Sequence, residues 1–102
     1  MAAYMVILAE VPDPAAFRDY AVAAGELVAE FGGEYIVRGA QDTECLEGDW
    51  PDETKCVISR WPSMEAARAF WNSDAYAEVK KLRLGKASVR VRLMEGPVED
   101  LE

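Results

Sequence analysis

The central feature of the sequence is residues 32–60, GGEYIVRGAQDTECLEGDWPDETKCVISR. It opens with Gly32 and Gly33, which predict the end of a helix because glycine adopts the left-handed conformation without a Cβ penalty. Two β-rich segments follow, joined by a turn that contains Trp50 and Pro51. The stretch therefore predicts a helix followed by two strands that are neighbours along the chain.

The two β-rich segments differ in regularity. Residues 34–38 alternate and predict strand two, after which Gly39 permits a bend or bulge. Residues 55–61 alternate without interruption and predict strand three. If the turn is centred near Trp50, Cys45 and Cys56 lie roughly opposite each other. With no Cys-x-x-Cys motif, they are interpreted as two buried thiols on adjacent strands rather than as a redox pair.

The residues before this stretch predict a strand and a helix. Residues 4–11 are apolar at nearly every position, which is typical of a central strand covered on both faces. Asp13 followed by Pro14 is a helix-start signal. Apolar residues then recur at the spacing of one helical face: Phe17, Tyr20, Ala21, Ala24, Leu27, Val28 and Phe31.

The residues after it repeat that order. Ser63 can cap a second helix, and residues 72–74 interrupt the helix and can cap a further segment. In that segment Tyr76, Val79 and Leu82 are expected to share a face. Residues 88–95, SVRVRLME, alternate most regularly of all and predict strand four.

The predicted order is β-α-β-β-α-β, the ferredoxin-like arrangement of the α+β class. It places two helical segments on one face of a four-stranded antiparallel sheet, with strands one and three central. We expect one domain over residues 1–96 and a short acidic tail over 97–102. Because strand one is apolar on both faces, the open sheet face needs a cover, and a second copy of the chain is the simplest one.

Composition excludes several classes of function. The 102 residues carry a formal charge of −8, which repels nucleic acid and anionic membranes. No apolar stretch approaches the length of a membrane span and no secretion signal is seen, so the expected compartment is the cytoplasm. The chain has no histidine, which removes Ser-His and Cys-His nucleophiles and the common zinc sites. No metal and no cofactor are expected.

Arginines are the first candidates for ligand binding. Arg38 and Arg60 lie on predicted strands two and three, and Arg90 and Arg92 lie on strand four opposite the valines. In an acidic protein, arginines that converge on the open sheet face would form a local site for a carboxylate. The competing interpretation, which we favour, is that they pair with nearby glutamates or face solvent.

Aromatic residues are the second candidates. Tyr20 and Tyr76 lie on helical stripes, where each hydroxyl can reach a cavity, although core packing is the more common role of such tyrosines. Trp50 lies at a turn beside proline, where it can cap a pocket or pack against a dimer partner, and the two interpretations have equal weight.

The sequence resembles the domain of unknown function 1330 family, within the dimeric α+β barrel superfamily. The resemblance rests on Asp13 with Tyr20 and on four longer stretches: GGEYIVRG at 32–39, CLEGDW at 45–50, WPSMEAARAFWNSDAY at 61–76 and MEG at 94–96. It implies a homodimer in which two sheets pack face to face, with helices outside and a cavity between sheet and loops. It implies no established activity. The segment at 51–55, PDETK, departs from the family's usual turn, in which an arginine leads into strand three.

These inferences predict a cytoplasmic homodimer that binds a small organic anion in a pocket between the sheets. The predicted ligand-binding residues are Tyr20, Arg38, Trp50, Arg60 and Tyr76. Whether the chain is an enzyme stays open. Chemistry at this site would be cofactor-independent proton transfer or oxygenation, with a tyrosine as the acid–base group and an arginine orienting a carboxylate. The alternative is a structural or stress-related dimer whose barrel is completely filled.

Overall fold

A computed structural model describes residues 1–96 of the chain. The order of elements is β-α-β-β-α-α-β, with the second helical segment divided in two and followed by a 3₁₀ turn. The elements are β1 (Ala3–Glu10), α1 (Pro14–Glu30), β2 (Glu34–Val37), β3 (Thr54–Trp61), α2 (Met64–Trp71), α3 (Asp74–Lys80), a 3₁₀ turn (Lys81–Arg83) and β4 (Ser88–Glu95).

The four strands form one antiparallel sheet in the order β2-β3-β1-β4. The ferredoxin-like arrangement and the central positions of β1 and β3 are therefore confirmed. Met5 is paired with Ser59 on one side and Leu93 on the other, and this register places alternate residues of the central strands on opposite faces. One face is covered by helices, and the other has no cover from residues 1–96.

Side-chain caps set the ends of the helices, as the sequence predicts. The Asp13 carboxylate accepts a hydrogen bond from the backbone N–H of Ala15 at the start of α1. The hydroxyl of Ser73 acts at two helices, because it donates to the Phe70 carbonyl at the end of α2 and accepts from the Tyr76 N–H at the start of α3. This one side chain joins the two halves of the second helical segment.

The core lies between the helices and the covered face of the sheet. Trp61 is 1% exposed, and its indole N–H donates to the hydroxyl of Ser59 at 2.9 Å. Phe70 packs on Trp61 with ring centroids 4.9 Å apart. Gly33 makes room for this indole, since a Cβ atom at that position would lie 2.8 Å from the ring. Glycine is required there by close approach.

The predicted strand two is too long. The sequence places Arg38 in the strand, whereas β2 ends at Val37 after an irregular pairing, and residues 38–53 form a loop. Gly39 has a φ of +65°, which turns the chain out of the extended conformation. The loop is also rich in acidic residues and poor in β-branched ones, so its strand propensity is low.

The interpretation of the cysteines as adjacent buried thiols is wrong for the same reason. Cys45 is exposed in the loop and its thiol faces the carbonyls of Glu47 and Gly48. Cys56 lies on β3 opposite Leu8 of β1. Both are free thiols, and neither is paired with the other.

The predicted buried face of the last helical segment is correct for Tyr76 and wrong for Leu82. Tyr76 is 2% exposed, whereas Leu82 is 39% exposed. The helix tightens into a 3₁₀ turn at Lys81–Arg83, which changes the direction of the side chains there. Arg83 is buried instead. Within the described residues, no helix is both long enough and apolar enough to cross a membrane.

Candidate ligand site between the helices and the sheet

A small cavity lies between the covered face of the sheet and the helices. Its volume is about 20 Å³, which is room for about one water molecule. The wall is mostly apolar, and its residues with polar groups include three tyrosines and Ser59. The lining residues used below are Ile7 and Val91 from the sheet, Tyr20 from α1, Tyr35 from β2, Trp71 from α2 and Tyr76 from α3.

Tyr20 and Tyr76 meet at this cavity. Their hydroxyl oxygens are 2.8 Å apart, which is a hydrogen bond in which either group can donate. α1 positions Tyr20, whose ring packs against Phe17 at 5.0 Å. The ring of Tyr76 packs against those of Phe70 and Trp71, at centroid distances of 4.6 and 5.1 Å. Both phenols are therefore held by packing, and one of their two protons remains free to bind another acceptor.

Arg83 lies beside the tyrosine pair. Its guanidinium carbon is 5.4 Å from the centroid of the Tyr20 ring, and the residue is 9% exposed. Its Nε atom is buried and has no hydrogen-bond partner in the part of the chain that the structure describes. The ion pair found within residues 1–96, between Lys81 and Glu78, does not involve it. A buried cation with an unpaired donor is costly unless something else binds it.

The protonation states of the cluster follow from burial and from contact. Burial is the main cause that raises the pKa of Tyr20, and the hydrogen bond with Tyr76 adds to it. Burial acts to lower the pKa of Arg83, but interactions with Tyr76 and Tyr20 raise it by more. At neutral pH the site therefore presents the neutral Tyr20 hydroxyl next to the positive charge of Arg83.

This arrangement suits an anion or a developing oxyanion. Phenol hydroxyls supply directed donors, and the guanidinium supplies charge in a partly dehydrated environment. No carboxylate and no thiol from residues 1–96 lines the cavity. Among residues 1–96, no three cysteines, aspartates or glutamates cluster closely enough to hold a metal ion. The described side chains can bind an anion and polarise its bonds, but they supply no general base.

The other three predicted ligand residues lie elsewhere. Arg38 follows β2, donates to the Ala21 carbonyl at 2.8 Å and stacks on Tyr35 at 4.4 Å, so it attaches the end of β2 to α1. Arg60 lies on the open face of β3, opposite Tyr4. Trp50 is 47% exposed in the loop, where its indole N–H approaches the Thr54 carbonyl at 3.5 Å. None of these three lines the cavity.

The open face of the sheet carries the strand-four arginines. Arg90 is paired with Leu8 and Arg92 with Val6, so both share a face with the apolar side chains of β1. Their predicted position opposite the valines of β4 is confirmed. The arginines do not converge on the tyrosine pair, because the sheet separates the two faces.

Sequence reasoning missed Arg83. It follows Tyr76 by seven residues and Val79 by four, the spacing of one helical face, so an available signal was an arginine on an otherwise apolar stripe. It also missed Tyr35 and Trp71 as wall residues. Their contribution depends on how β2 and α2 pack over the sheet, which local periodicity does not encode.

Comparison with known proteins agrees with this architecture. The sequence profile of the domain of unknown function DUF1330 matches residues 2–97. The chain belongs to the DUF1330 family. No curated protein gives a significant match to it.

Solved structures show the same fold at low sequence identity. SnoaB, a cofactor-independent oxygenase from Streptomyces nogalater, is 14% identical with a TM-score of 0.72, and the match covers 99% of this chain and 98% of SnoaB. A protein of unknown function from Rhodopseudomonas palustris is 21% identical with a TM-score of 0.70, covering 97% and 84%. A protein from Mycobacterium tuberculosis is 15% identical with a TM-score of 0.59, covering 98% and 99%.

Proposed function

We propose that this DUF1330 protein is a cytoplasmic homodimer that binds a small organic anion at the tyrosine pair, next to Arg83. The observation that carries the proposal is the burial of Arg83 with no carboxylate partner among residues 1–96, in a chain of net charge −8. Acidic residues are abundant, so an arginine whose role is only structural has many candidate partners. An arginine without one is suited to an anion that arrives from solution.

Coulomb's law gives the size of the attraction between Arg83 and a bound anion. A negative charge about 5 Å from the guanidinium gains about 3 kcal/mol at the effective dielectric constant typical of protein sites. Tyr20 or Tyr76 adds a directed hydrogen bond to the same anion. Carboxylates and phenolates of modest size match this combination, since one oxygen can accept from a hydroxyl while the charge lies near Arg83.

The chemistry open to such a site is narrow. Tyr20 is a proton donor rather than a base, because burial raises its pKa and keeps the phenol neutral. Without a general base in the cavity lining, a substrate would have to arrive already ionised. Stabilising an ionised substrate is compatible with cofactor-independent oxygenation, the activity named for SnoaB, and the similarity of fold supports that reaction class.

The homodimer is supported by the open sheet face. Tyr4, Val6 and Leu8 of β1 lie on this face and are only half-buried in the single chain. Cys56 and Ile58 of β3 lie beside them. An apolar sheet face without a cover is a typical interaction surface. A second copy covers it with the same surface, as in an isologous dimer.

A second candidate function is a non-catalytic dimer. The observation that favours it is the cavity volume of about 20 Å³, which is far below the roughly 300 Å³ or more of ordinary small-molecule pockets. A ligand larger than water must displace part of the lining. In this second candidate the tyrosine pair is simply a satisfied polar contact in the core.

A thermal-shift screen of small carboxylates and phenolates tests the two candidates, because a ligand that binds only the folded state raises the melting temperature. We expect hits with wild-type protein that weaken at least tenfold in Arg83→Met. Lys81→Met is the matched control, since it removes one exposed positive charge from the same turn. Hits that survive in Arg83→Met place binding elsewhere, and the absence of any hit favours the non-catalytic dimer. Light scattering tests the dimer separately.

A further inference from the structure

The loop formed by residues 39–53, called here the acidic loop, is the largest feature that the proposed site does not use. Every residue in it is exposed. It carries six acidic side chains and no basic one: Asp42, Glu44, Glu47, Asp49, Asp52 and Glu53. It also exposes Leu46 at 86% and Trp50 at 47%. A loop that exposes acidic and large apolar side chains together has the composition of one side of a protein–protein contact.

A surface of opposite charge lies on the open face. Arg90 and Arg92 are exposed on β4 with no acidic residue of that strand between them. Neither takes part in the ion pair found within residues 1–96. Apolar residues of β1 lie beside them. Glu10 of β1 lies on the same face beside Ser88, so two arginines against one carboxylate leave this end of the face positive. The face therefore combines a net positive charge with apolar surface, which complements the acidic loop.

Within one chain the two features are at opposite edges of the sheet. The acidic loop joins β2 to β3, and β2 and β4 are the two edge strands. Three strand spacings, or about 14 Å, separate those edges. Both features lie toward the same end of the sheet, however, because β3 begins where β4 begins: Thr54 and Ser88 are both paired with Glu10.

Dimer symmetry brings them together. When two sheets face each other about a two-fold axis parallel to the strands, β2 of one protomer lies opposite β4 of its partner, with like ends together. The acidic loop of each protomer then lies over the Arg90–Arg92 side of the other. An axis perpendicular to the strands would instead bring the loop toward Arg60, where Glu34 lies opposite that arginine on the neighbouring strand and reduces the local positive charge.

We propose that the acidic loop docks on Arg90 and Arg92 of a second copy of the chain, and so completes the dimer in a reciprocal pair of contacts. This inference rests on the proposed homodimer and specifies its axis. Four strands of at most eight residues give a flat area of about 500 Å², against roughly 800 Å² that each partner usually contributes to a stable interface. The acidic loop supplies surface beyond the sheet.

The test is a charge-swap experiment with the full chain. The face variant is Arg90→Glu with Arg92→Glu, and the loop variant is Glu47→Lys with Asp49→Lys. In either homodimer both contacts become repulsive, whereas in the mixed dimer both are attractive. We expect each homodimer to dissociate about tenfold more readily than wild type, an effect that salt reduces.

Native mass spectrometry after subunit exchange gives the decisive readout. When two variants are mixed in equal amounts and have no preference, one half of all dimers contain one copy of each. A tenfold weaker association of each homodimer raises this fraction to about nine-tenths. Arg18→Glu, a reversal on α1, serves as the control and should mix statistically with the loop variant. A loop that folds onto its own chain gives no preference for the mixed dimer.

Four outcomes would overturn the inference. Wild-type protein that is monomeric refutes the homodimer and this contact with it. A wild-type dimer whose variants mix statistically refutes only the contact. If the loop variant prefers mixed dimers with Arg60→Glu and not with the face variant, the two-fold axis is perpendicular to the strands. If a chain truncated after Gly96 forms a weaker dimer, as the loop variant does, then the acidic tail and not the acidic loop binds Arg90 and Arg92.

Discussion

Replacement of Arg83 by methionine should stabilise the protein while it weakens ligand binding. The buried Nε atom, which has no partner within residues 1–96, costs about 1–3 kcal/mol. The contact of the guanidinium with the Tyr20 ring, at 5.4 Å, returns about 0.5–1 kcal/mol. Methionine fills a similar volume and has a similar helix propensity. The balance favours Arg83→Met by about 1 kcal/mol, or a rise of about 4–8 °C in melting temperature.

The assay is urea and thermal unfolding followed by circular dichroism, at one fixed protein concentration because the proposed homodimer would add to apparent stability. Lys81→Met controls for the loss of a positive charge near the end of α3, since Lys81 is in the same turn and exposed. The free energy of unfolding of that control should lie within about 0.5 kcal/mol of wild type. If Arg83→Met is instead less stable than the control by more than about 1 kcal/mol, Arg83 is a structural residue and the ligand argument fails.

Three further predictions concern the core, the thiols and the alkaline range. Gly33→Ala should lose about 1–3 kcal/mol of stability by overpacking and change the near-ultraviolet circular dichroism of Trp61, and an unchanged spectrum would contradict the close contact. Ellman's reagent should modify exposed Cys45 first and Cys56 later, since burial raises the pKa of Cys56; a fast phase that persists in Cys45→Ser would refute this order. Because the pKa of Tyr20 is raised in the folded state, its contribution to stability is complete below about pH 10 and is lost as the pH rises further. Tyr20→Phe should therefore flatten the alkaline fall in the urea midpoint, and an unchanged slope would contradict the raised pKa.

The sequence predicts most of the fold because its strongest patterns are local. The alternation of residues 88–95 gives β4 with the observed bounds, and Ser73 and Asp13 cap the helices as expected. The end of β2 is less predictable, because an irregular pairing after Tyr35 changes which face each following side chain occupies. That change, together with Gly39, removes Arg38 from the strand.

The site is less accessible to sequence reasoning than the fold. Periodicity places Tyr20 and Tyr76 on buried stripes, but their meeting across 56 positions depends on how α1 packs against α3. Arg83 was missed because a charged residue near the end of a helix is normally assigned to the surface. Only the packing of the helices over the sheet shows that its side chain is buried.

The double role of Ser73 has a consequence for how members of the family can diverge. Its hydroxyl fixes the end of α2 and the start of α3 together, so Phe70 and Tyr76 cannot be repositioned independently. Side chains that line the cavity, such as Ile7 and Val91, are under no such constraint. A relative that recognises a different molecule can therefore reshape the wall while it keeps the geometry of the phenols. We expect sequence variation to concentrate in the wall and to avoid the helix junction.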